Sequence, residues 1–401
     1  MGKQKGPMRQ RIARQRLVDY GVALLVIVAA IAIAHGVRIT TNWGQPHWED
    51  QLFFQHEQTH IQQIGDCFRY PLWPGLYRPL SSTCYYYLVG QLTDRPLQAH
   101  HLINVLFYAA NGLLLYHLCR RWMGRRWALL PGALFVSRYA HAEIVTNTVE
   151  FQVLLPTFFA LLTIVFFLRG SDQSDNGWYW GWYWGWYWLA GVTFALALLS
   201  KETFVVLPAI LWLERWLWRR NGSAAGIIGV SMVALVWAML FAMFLRGMAG
   251  QTATGFGYTL APAEIIRNYT AYFLAFTNLL THAPDTLTMP ANVLRLADAP
   301  VIQIGFCLLC LAAAGALIWL RRRPPGGYHT MRVVGFGLLF FLISAAPFVI
   351  LVDRLFMRYA YWAHAGLAIA AGAALQALLQ AAFARRAATG GLPQTHDQMT
   401  G

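Results

Sequence analysis

Two adjacent carboxylates, Glu49 and Asp50, are the first residues of this sequence whose type and setting could do chemistry. They follow shortly after an apolar run and stand among aromatic residues in the stretch PHWEDQLFF. Ionisable groups close to hydrocarbon are costly and are functional candidates by default. Burial would raise a carboxyl pKa and a nearby cation would lower it, so either residue could act as a general base or as a ligand. A solvated acidic pair on a loop is the alternative interpretation.

Three cations stand at similar boundaries between apolar and polar sequence. Arg78 lies in the stretch LYRPL, Lys201 and Glu202 interrupt two apolar stretches, and Arg358-Tyr359 precedes the last apolar run. A guanidinium can bind a phosphate through two parallel hydrogen bonds. Taken singly, each cation could instead contact a lipid headgroup, with lysine snorkelling toward it. Together with the carboxylates, the three cations would suit an anionic phosphate ligand beside a proton acceptor.

Histidines and cysteines give weaker signals. His100, His101 and His141 have no spacing that resembles a zinc site, so core or helix-end positions are the simpler interpretation. No metal and no cofactor is predicted from these residues, and metal dependence stays open. Five cysteines do not make a disulfide framework. Cys67 and Cys84, which fall in one polar segment, could pair in an oxidising compartment.

The composition determines which elements must position these residues. The 401-residue chain is 57% hydrophobic, 15% aromatic and only 12% charged, whereas soluble domains carry about 25% charged residues. These values exclude a soluble globular enzyme, a disordered regulator and a disulfide-stapled secreted module. Apolar runs near the length that a bilayer requires predict an all-α protein of about ten membrane helices. The runs are 20–37, 97–118, 127–145, 151–168, 186–199, 203–213, 223–245, 301–320, 333–352 and 359–383.

The distribution of charge predicts the orientation. If the ten spans alternate, the side that holds the N-terminus collects 20 of the 31 Lys and Arg residues and five of the 17 acidic residues. This asymmetry follows the positive-inside rule and accounts for the net charge of +14 through lipid headgroups, without nucleic acid. We therefore expect cytoplasmic tails at 1–18 and 387–401, the second of them flexible, around a membrane domain at 19–386. Outer segments are expected at about 38–96 and 247–300.

Six motifs in order resemble the C-type (GT-C fold) glycosyltransferases, which use polyprenyl-phosphate-linked sugars. Among them, the likeness is to the transmembrane protein O-mannosyltransferases that carry C-terminal TPR repeats. Order and spacing agree across roughly residues 40–370. The motifs are Glu49-Asp50, Tyr77-Arg78-Pro79-Leu80, His101-Leu102-Ile103-Asn104-Val105-Leu106 with Asn111, His141-Ala142-Glu143, Ser200-Lys201-Glu202-Thr203 and Arg358-Tyr359.

The resemblance implies transfer of a hexose, mannose in the relatives, from a lipid-phosphate donor to a hydroxyl on the outer face. It implies that Asp50 or Glu49 is the general base and that Arg78, Lys201 and Arg358 bind the donor phosphate. It also implies a supporting cavity formed by Tyr77, His101, His141, Glu143, Glu202 and Tyr359.

Three departures from the family pattern matter. The family usually has Asp at the first acidic position, where this chain has Glu49, so we favour Asp50 as the base and keep Glu49 as the alternative. Met357 stands where the family often has Glu. The sequence shows no 34-residue repeat, so no TPR array is expected. This brevity is more typical of a bacterial inner-membrane protein whose site faces the periplasm.

A second functional class stays open beside the enzyme. A catalytically inactive protein of the same fold could act as a lipid-binding, glycan-binding, transport or assembly factor. The expected partners are membrane lipids, the polyprenyl-phosphate sugar and an acceptor of unknown kind. The identity of the sugar and the oligomeric state are not predicted.

Overall fold

The computed structural model describes residues 6–45, 48–70, 77–175, 180–218, 224–247, 257–277, 289–322, 329–352 and 355–389. Within these ranges the chain is almost entirely helical, which agrees with the all-α prediction. The α-helices are α1 (Gly6–Asn42), α2 (Trp48–His60), α3 (Tyr85–Leu92), α4 (Pro96–Met123), α5 (Leu129–Val136), α6 (Ala142–Thr146), α7 (Phe151–Asp175), α8 (Trp180–Ser200), α9 (Leu207–Trp218), α10 (Ala224–Gly247), α11 (Pro262–Thr277), α12 (Ala291–Ala297), α13 (Pro300–Arg321), α14 (His329–Val349) and α15 (Tyr361–Thr389).

Short turns of 3-10 or π helix connect several of these helices. The π turn is Leu80–Cys84, and the 3-10 turns are Ile64–Phe68, Tyr139–His141, Thr148–Glu150, Glu202–Val206 and Met357–Ala360. These turns carry, or directly follow, most of the charged motifs singled out above.

Six helical stretches are long and apolar enough to cross a bilayer, by their length and composition. They are Arg14–Asn42, Pro96–Met123, Thr148–Asp172, Pro300–Arg321, His329–Val349 and Met357–Arg385. Trp184–Ser200 and Gly226–Leu240 are apolar but shorter. The structure therefore supports a multi-pass membrane protein, and the full number of ten spans stays a prediction.

The predicted span 127–145 is wrong as a single helix. α5 ends at Val136, and a 3-10 turn and the short α6 follow it. Arg138 has extended backbone in this break, and its Nε donates to Leu134 O at 2.9 Å. Leu134 O is among the last carbonyls of α5, which have no partner inside the helix. The Arg138 side chain thus supplies the hydrogen bond that Leu134 O would receive if the helix continued.

The predicted span 203–213 also differs from a single membrane helix. It covers the end of the 3-10 turn Glu202–Val206 and the first part of α9, which has 12 residues. At 1.5 Å per residue, a helix of that length reaches roughly 18 Å and does not cross a hydrocarbon core of about 30 Å.

The two predicted tails are partly helical. α1 begins at Gly6 and α15 continues to Thr389, so each helix extends into the predicted tail beside it. Residues 1–5 and 390–401 lie outside the described residues.

Small residues bring α14 and α15 close together. A Cβ atom added to Gly337 would lie 2.5 Å from Gly366 O, and one added to Gly366 would lie 2.6 Å from Gly337 O. Small residues permit such close approach of backbones between membrane helices. Any side chain at either position would separate the two helices, and α15 follows directly after the turn that carries Arg358.

The two predicted outer segments contain helices of their own. The segment 38–96 includes α2 and α3, and the segment 247–300 includes α11 and α12. A two-residue antiparallel pair joins Gly257–Tyr258 to Leu351–Val352, just beyond α14. The Asn268 amide of α11 also donates to Val349 O at 2.7 Å. The second segment is thereby fixed to the end of the bundle where α14 stops and the Arg358 turn follows.

Candidate functional site

Arg358 joins two carboxylates that are far from it in the sequence. Its Nη1 donates to Glu49 Oε2 at 3.1 Å and to Glu150 Oε1 at 2.8 Å. Glu49 lies in the first turn of α2, and Glu150 ends the 3-10 turn before α7. The Glu150 side chain is only 1% exposed, whereas that of Arg358 is 15% exposed. A carboxylate buried so deeply must be paired, and Arg358 pairs it.

Arg78 makes a second, bidentate ion pair. Its Nε donates to Glu202 Oε2 at 2.8 Å, its Nη2 contacts the other oxygen of Glu202, and its Nη1 donates to Gln152 Oε1 at 3.1 Å. Burial alone would raise the pKa of Glu202, but the charge and hydrogen bonds of Arg78, with smaller contributions from the backbone and Lys201, together hold that pKa below its usual range. Such fork-to-fork pairs are among the stronger charge-assisted contacts.

Lys201 lies between these two ion pairs. Its residue is 2% exposed, and its Nζ lies 5.3 Å from the Tyr359 ring centroid and 5.5 Å from that of Phe348. Aromatic faces attract a cation at such distances. Burial lowers the pKa of Lys201 to about 7, and the Arg78 charge acts in the same direction. Among the residues that the structure describes, Lys201 has no carboxylate within ion-pair distance.

The three cations that the sequence singled out therefore come together. Lys201 lies within electrostatic range of both Arg78 and Arg358, and Arg78 lies within electrostatic range of Arg358. We call Arg78, Lys201, Arg358 and their carboxylates Glu49, Glu150 and Glu202 the charged cluster. Charges that lie together beside apolar helices are poorly screened because little water is present. Each charge interaction within the cluster is therefore stronger than it would be in water.

The two adjacent carboxylates have different surroundings. Asp50 is fully buried and accepts a hydrogen bond from the Thr148 hydroxyl. Thr148 in turn lies 3.0 Å from the Tyr86 hydroxyl, which donates to it because the single Thr148 proton is already used. Burial raises the pKa of Tyr86 well above its usual value, and the Asp50 charge adds to the effect. Glu49, with 12% of its side chain exposed, faces Arg358 instead.

Glu143 lies close to the charged cluster without joining an ion pair in the described ranges. Its Oε2 is buried and has no hydrogen-bond partner there. Burial raises the pKa of Glu143 to about 8, the Glu150 charge adds to that rise, and Arg358 opposes it. The predicted role of Glu143 in a supporting cavity stays a prediction.

His141 belongs to a buried histidine chain beneath the charged cluster. Its Nε2 lies 2.9 Å from His364 Nδ1, and its Nδ1 lies 3.2 Å from the Tyr108 hydroxyl. His364 Nε2 lies 3.1 Å from Tyr272 O, so it donates there and leaves its Nδ1 to accept from His141. These bonds account for both ring nitrogens of His141 within the core.

The remaining predicted site residues lie at different distances from the cluster. Tyr359 stacks on Phe348 at 4.8 Å and is one of the rings beside Lys201. The Tyr77 hydroxyl donates to Phe68 O at 3.3 Å, toward the outer segment and beside Arg78 in the chain. His101 is buried, with its ring 5.9 Å from that of Trp43.

Sequence reasoning missed Glu150, Gln152, Thr148 and Tyr86. Glu150 stands directly before the apolar run 151–168. A charge beside hydrocarbon is costly, and this reasoning, which singled out Glu49 and Asp50, could have identified Glu150 as well. Nothing in the local sequence marks Gln152, Thr148 or Tyr86 as partners of charged residues. Their roles follow only from tertiary packing, which brings α3 and the turn Thr148–Glu150 against α2 and places Gln152 beside Arg78.

The described ranges contain no group of three or more His, Cys, Asp or Glu side chains that could hold a metal ion. His56 and His60, one turn apart on α2, stack with ring centroids 4.7 Å apart, but no third ligand joins them within those ranges. The charged cluster itself alternates carboxylates with cations.

Comparison with known proteins gives a distant similarity. The chain is 29% identical over 136 residues to the protein O-mannosyl-transferase TMTC3 of Mus musculus, a match that covers 33% of this chain and 14% of that protein. It is 28% identical over 136 residues to the Homo sapiens protein of the same name, with the same coverage. The match thus spans about a seventh of the length of these relatives. No family model matches the chain, and no solved structure matches it.

Proposed function

We propose that this protein is a membrane glycosyltransferase that moves a sugar from a polyprenyl-phosphate-linked donor to a hydroxyl acceptor. The observation that carries the proposal is the meeting of Arg78, Lys201 and Arg358 with carboxylates at one end of the helix bundle. The similarity to a protein O-mannosyl-transferase supports the same reaction class. The positive-inside distribution of charge favours the outer face for this end.

The donor phosphate would bind first at Lys201. This ammonium is buried and is held by aromatic rings, whereas the two guanidinium groups already hold carboxylates. An anion placed beside Lys201 would stabilise its charged form. Arg78 and Arg358 would then share the phosphate oxygens, each giving up part of its present contacts to carboxylates. Fixed cations in a water-poor site stabilise the negative charge that develops on a leaving phosphate.

The acceptor would lose its proton to one of the two adjacent carboxylates. The acceptor oxygen attacks the anomeric carbon, the bond from that carbon to the phosphate oxygen breaks, and the lipid phosphate leaves with the electron pair. The carboxylate keeps the proton, which needs only hydrogen-bond reach. Asp50 is our first assignment for this base because Arg358 already engages Glu49. Glu49 is the second assignment.

A second candidate function follows from the ion pairs themselves. Both guanidinium groups already hold carboxylates, and Met357 precedes Arg358 where the resembling family often has Glu. A protein of this fold could therefore bind a lipid-linked sugar without transferring it. Such a binding protein would retain donor affinity in the purified state and produce no glycosylated acceptor.

The test is a transfer assay with the purified full-length protein in liposomes, with polyprenyl-phosphate sugars as donors and cell-envelope extract as acceptor. Transfer that is lost in Asp50→Asn or Glu49→Gln, with donor binding retained, would support the proposal. Asp298→Asn is the matched control, because Asp298 forms an exposed ion pair with Arg267 away from the cluster. Donor binding without transfer in the wild type would favour the second function, and absence of both would refute the first.

A further inference from the structure

Two cysteines separated in sequence come together in the segment that precedes α3. Cys67 lies in the 3-10 turn Ile64–Phe68, and Cys84 ends the π turn Leu80–Cys84. Both residues are buried and lie in one small cluster of packed side chains. Ile61 completes a small apolar cluster with them that is separate from the main core.

The backbone on both sides holds this pair in position. The Thr83 hydroxyl donates to Cys67 O at 2.7 Å, which ties the π turn to the 3-10 turn directly beside the two thiols. The Cys84 N–H donates to Pro79 O at 2.8 Å. The Asp66 carboxylate accepts from the backbone N–H groups of Gln62 and Gln63. These contacts fix the two turns that carry the thiols against each other.

The pair is unsuited to work as a reactive thiol. Burial raises the pKa of both cysteines, that of Cys84 to about 12, so neither is a thiolate near neutral pH. Nucleophilic and redox-catalytic cysteines show the opposite behaviour, with a lowered pKa and an exposed sulfur. The juxtaposition of two buried, unreactive thiols is instead what a structural disulfide needs.

We propose that Cys67 and Cys84 form a disulfide that closes the segment carrying Arg78. The inference rests on the proposed function in one respect, namely that this segment faces an oxidising outer compartment. Its test is a thiol count that does not depend on sugar transfer.

The chemistry is a thiol–disulfide exchange. The two thiols lose two protons and two electrons and form one S–S bond, while the disulfide of an oxidoreductase in that compartment is reduced to a dithiol. The exchange takes place before the turns pack, because the folded thiols are buried from any protein oxidant. Disulfides persist in compartments of this kind and are rare in the cytosol.

The bond would constrain the chain on both sides of Arg78. Residues 67–84 form the closed loop, and Arg78 leaves this loop to reach Glu202 and Gln152 on other elements. In the chain-entropy account, closing a loop of this size disfavours opening by roughly 100-fold. Amide exchange across the turns Ile64–Phe68 and Leu80–Cys84 should therefore accelerate by up to about that factor when the bond is reduced.

The experiment counts free thiols in the full-length protein. Protein from membranes is denatured without reductant and treated with a maleimide-polyethylene glycol, which adds one gel shift per free thiol. With five cysteines in the chain, we expect three shifts without reductant and five after reduction. Cys67→Ser should give four shifts under both conditions, because Cys84 then loses its partner.

Cys119→Ser is the matched control and should give two shifts without reductant and four after reduction. Five shifts in the unreduced wild type would overturn the proposal, whatever the transfer assay shows. Three shifts in the wild type together with two in unreduced Cys67→Ser would place the bond between two other cysteines and would also overturn it. Loss of transfer with the expected shifts would refute only the proposed enzyme.

Discussion

Removal of Arg358 should damage this protein in two separable ways. In Arg358→Ala, Glu49 and Glu150 lose the cation that pairs them, and the Glu150 side chain is only 1% exposed. Breaking a buried ion pair by removing one partner costs about 3–5 kcal/mol, because the other charge stays buried and unpaired. We therefore expect a clear fall in the thermal unfolding temperature of the purified protein.

The second effect concerns the donor. If Arg358 also contacts the donor phosphate, its loss removes a charge-assisted contact worth about 1.5–3 kcal/mol, or roughly 10- to 150-fold in apparent donor affinity. A destabilised variant could lose activity for the first reason alone. Arg358→Ala combined with Glu150→Gln separates the two, since the amide removes the buried charge and keeps the shape.

The combined variant should recover most of the lost thermal stability and should still use the donor poorly. Donor titration in the liposome transfer assay, read beside the unfolding temperature, measures both effects. Arg267→Ala serves as the control: its partner Asp298 is 52% exposed, and exposed pairs contribute about 0–1 kcal/mol. Recovery of full donor affinity in the combined variant would refute the phosphate role and leave Arg358 as a structural counter-ion.

Four further outcomes are expected. Asp50→Asn should lower transfer by about 10²–10⁴-fold with donor binding retained, as loss of a general base does; if only Glu49→Gln has this effect, the base is the neighbouring residue. Arg78→Lys should restore only part of the donor affinity lost in Arg78→Ala, because lysine offers one point charge in place of a fork, and full restoration would exclude bidentate phosphate binding. Because burial lowers the pKa of Lys201 to about 7, its cationic form is lost as pH rises through 7, so donor affinity should fall between pH 6 and pH 8; a Lys201→Arg variant with the same pH profile would refute this assignment. A cysteine placed beside Arg322 should resist membrane-impermeant maleimide in intact cells, and labelling there would contradict the predicted cytoplasmic side.

The same pKa shift has a consequence for stability. The folded-state pKa of Lys201 lies below its unfolded value of 10.5, so the unfolded chain binds more protons between the two values. The contribution of Lys201 to the free energy of unfolding therefore increases as pH rises from about 7 toward 10.5. Donor binding and stability should change in opposite directions over the lower part of that range.

Hydropathy predicted the long helices well because about 20 apolar residues are what a bilayer requires. The regions that form α1, α4, α7, α13, α14 and α15 all appeared as apolar runs. The predicted spans 127–145 and 203–213 failed as single helices for a physical reason. Arg138 satisfies the end of α5 in the first, and α9 is too short in the second. Apolar content alone does not reveal where backbone groups find other partners.

Composition and hydropathy were sufficient to identify a multi-pass membrane protein with a few charged residues at the ends of its apolar runs. Those residues could be found because a charge beside hydrocarbon is costly and needs a reason. The pairing of each carboxylate with its cation, by contrast, depends on how the helices pack. Glu49 and Arg358 are 309 residues apart, and Arg78 and Glu202 are 124 apart. No local pattern encodes such pairs, because they arise only when the helices between them pack and bring distant turns to one end of the bundle.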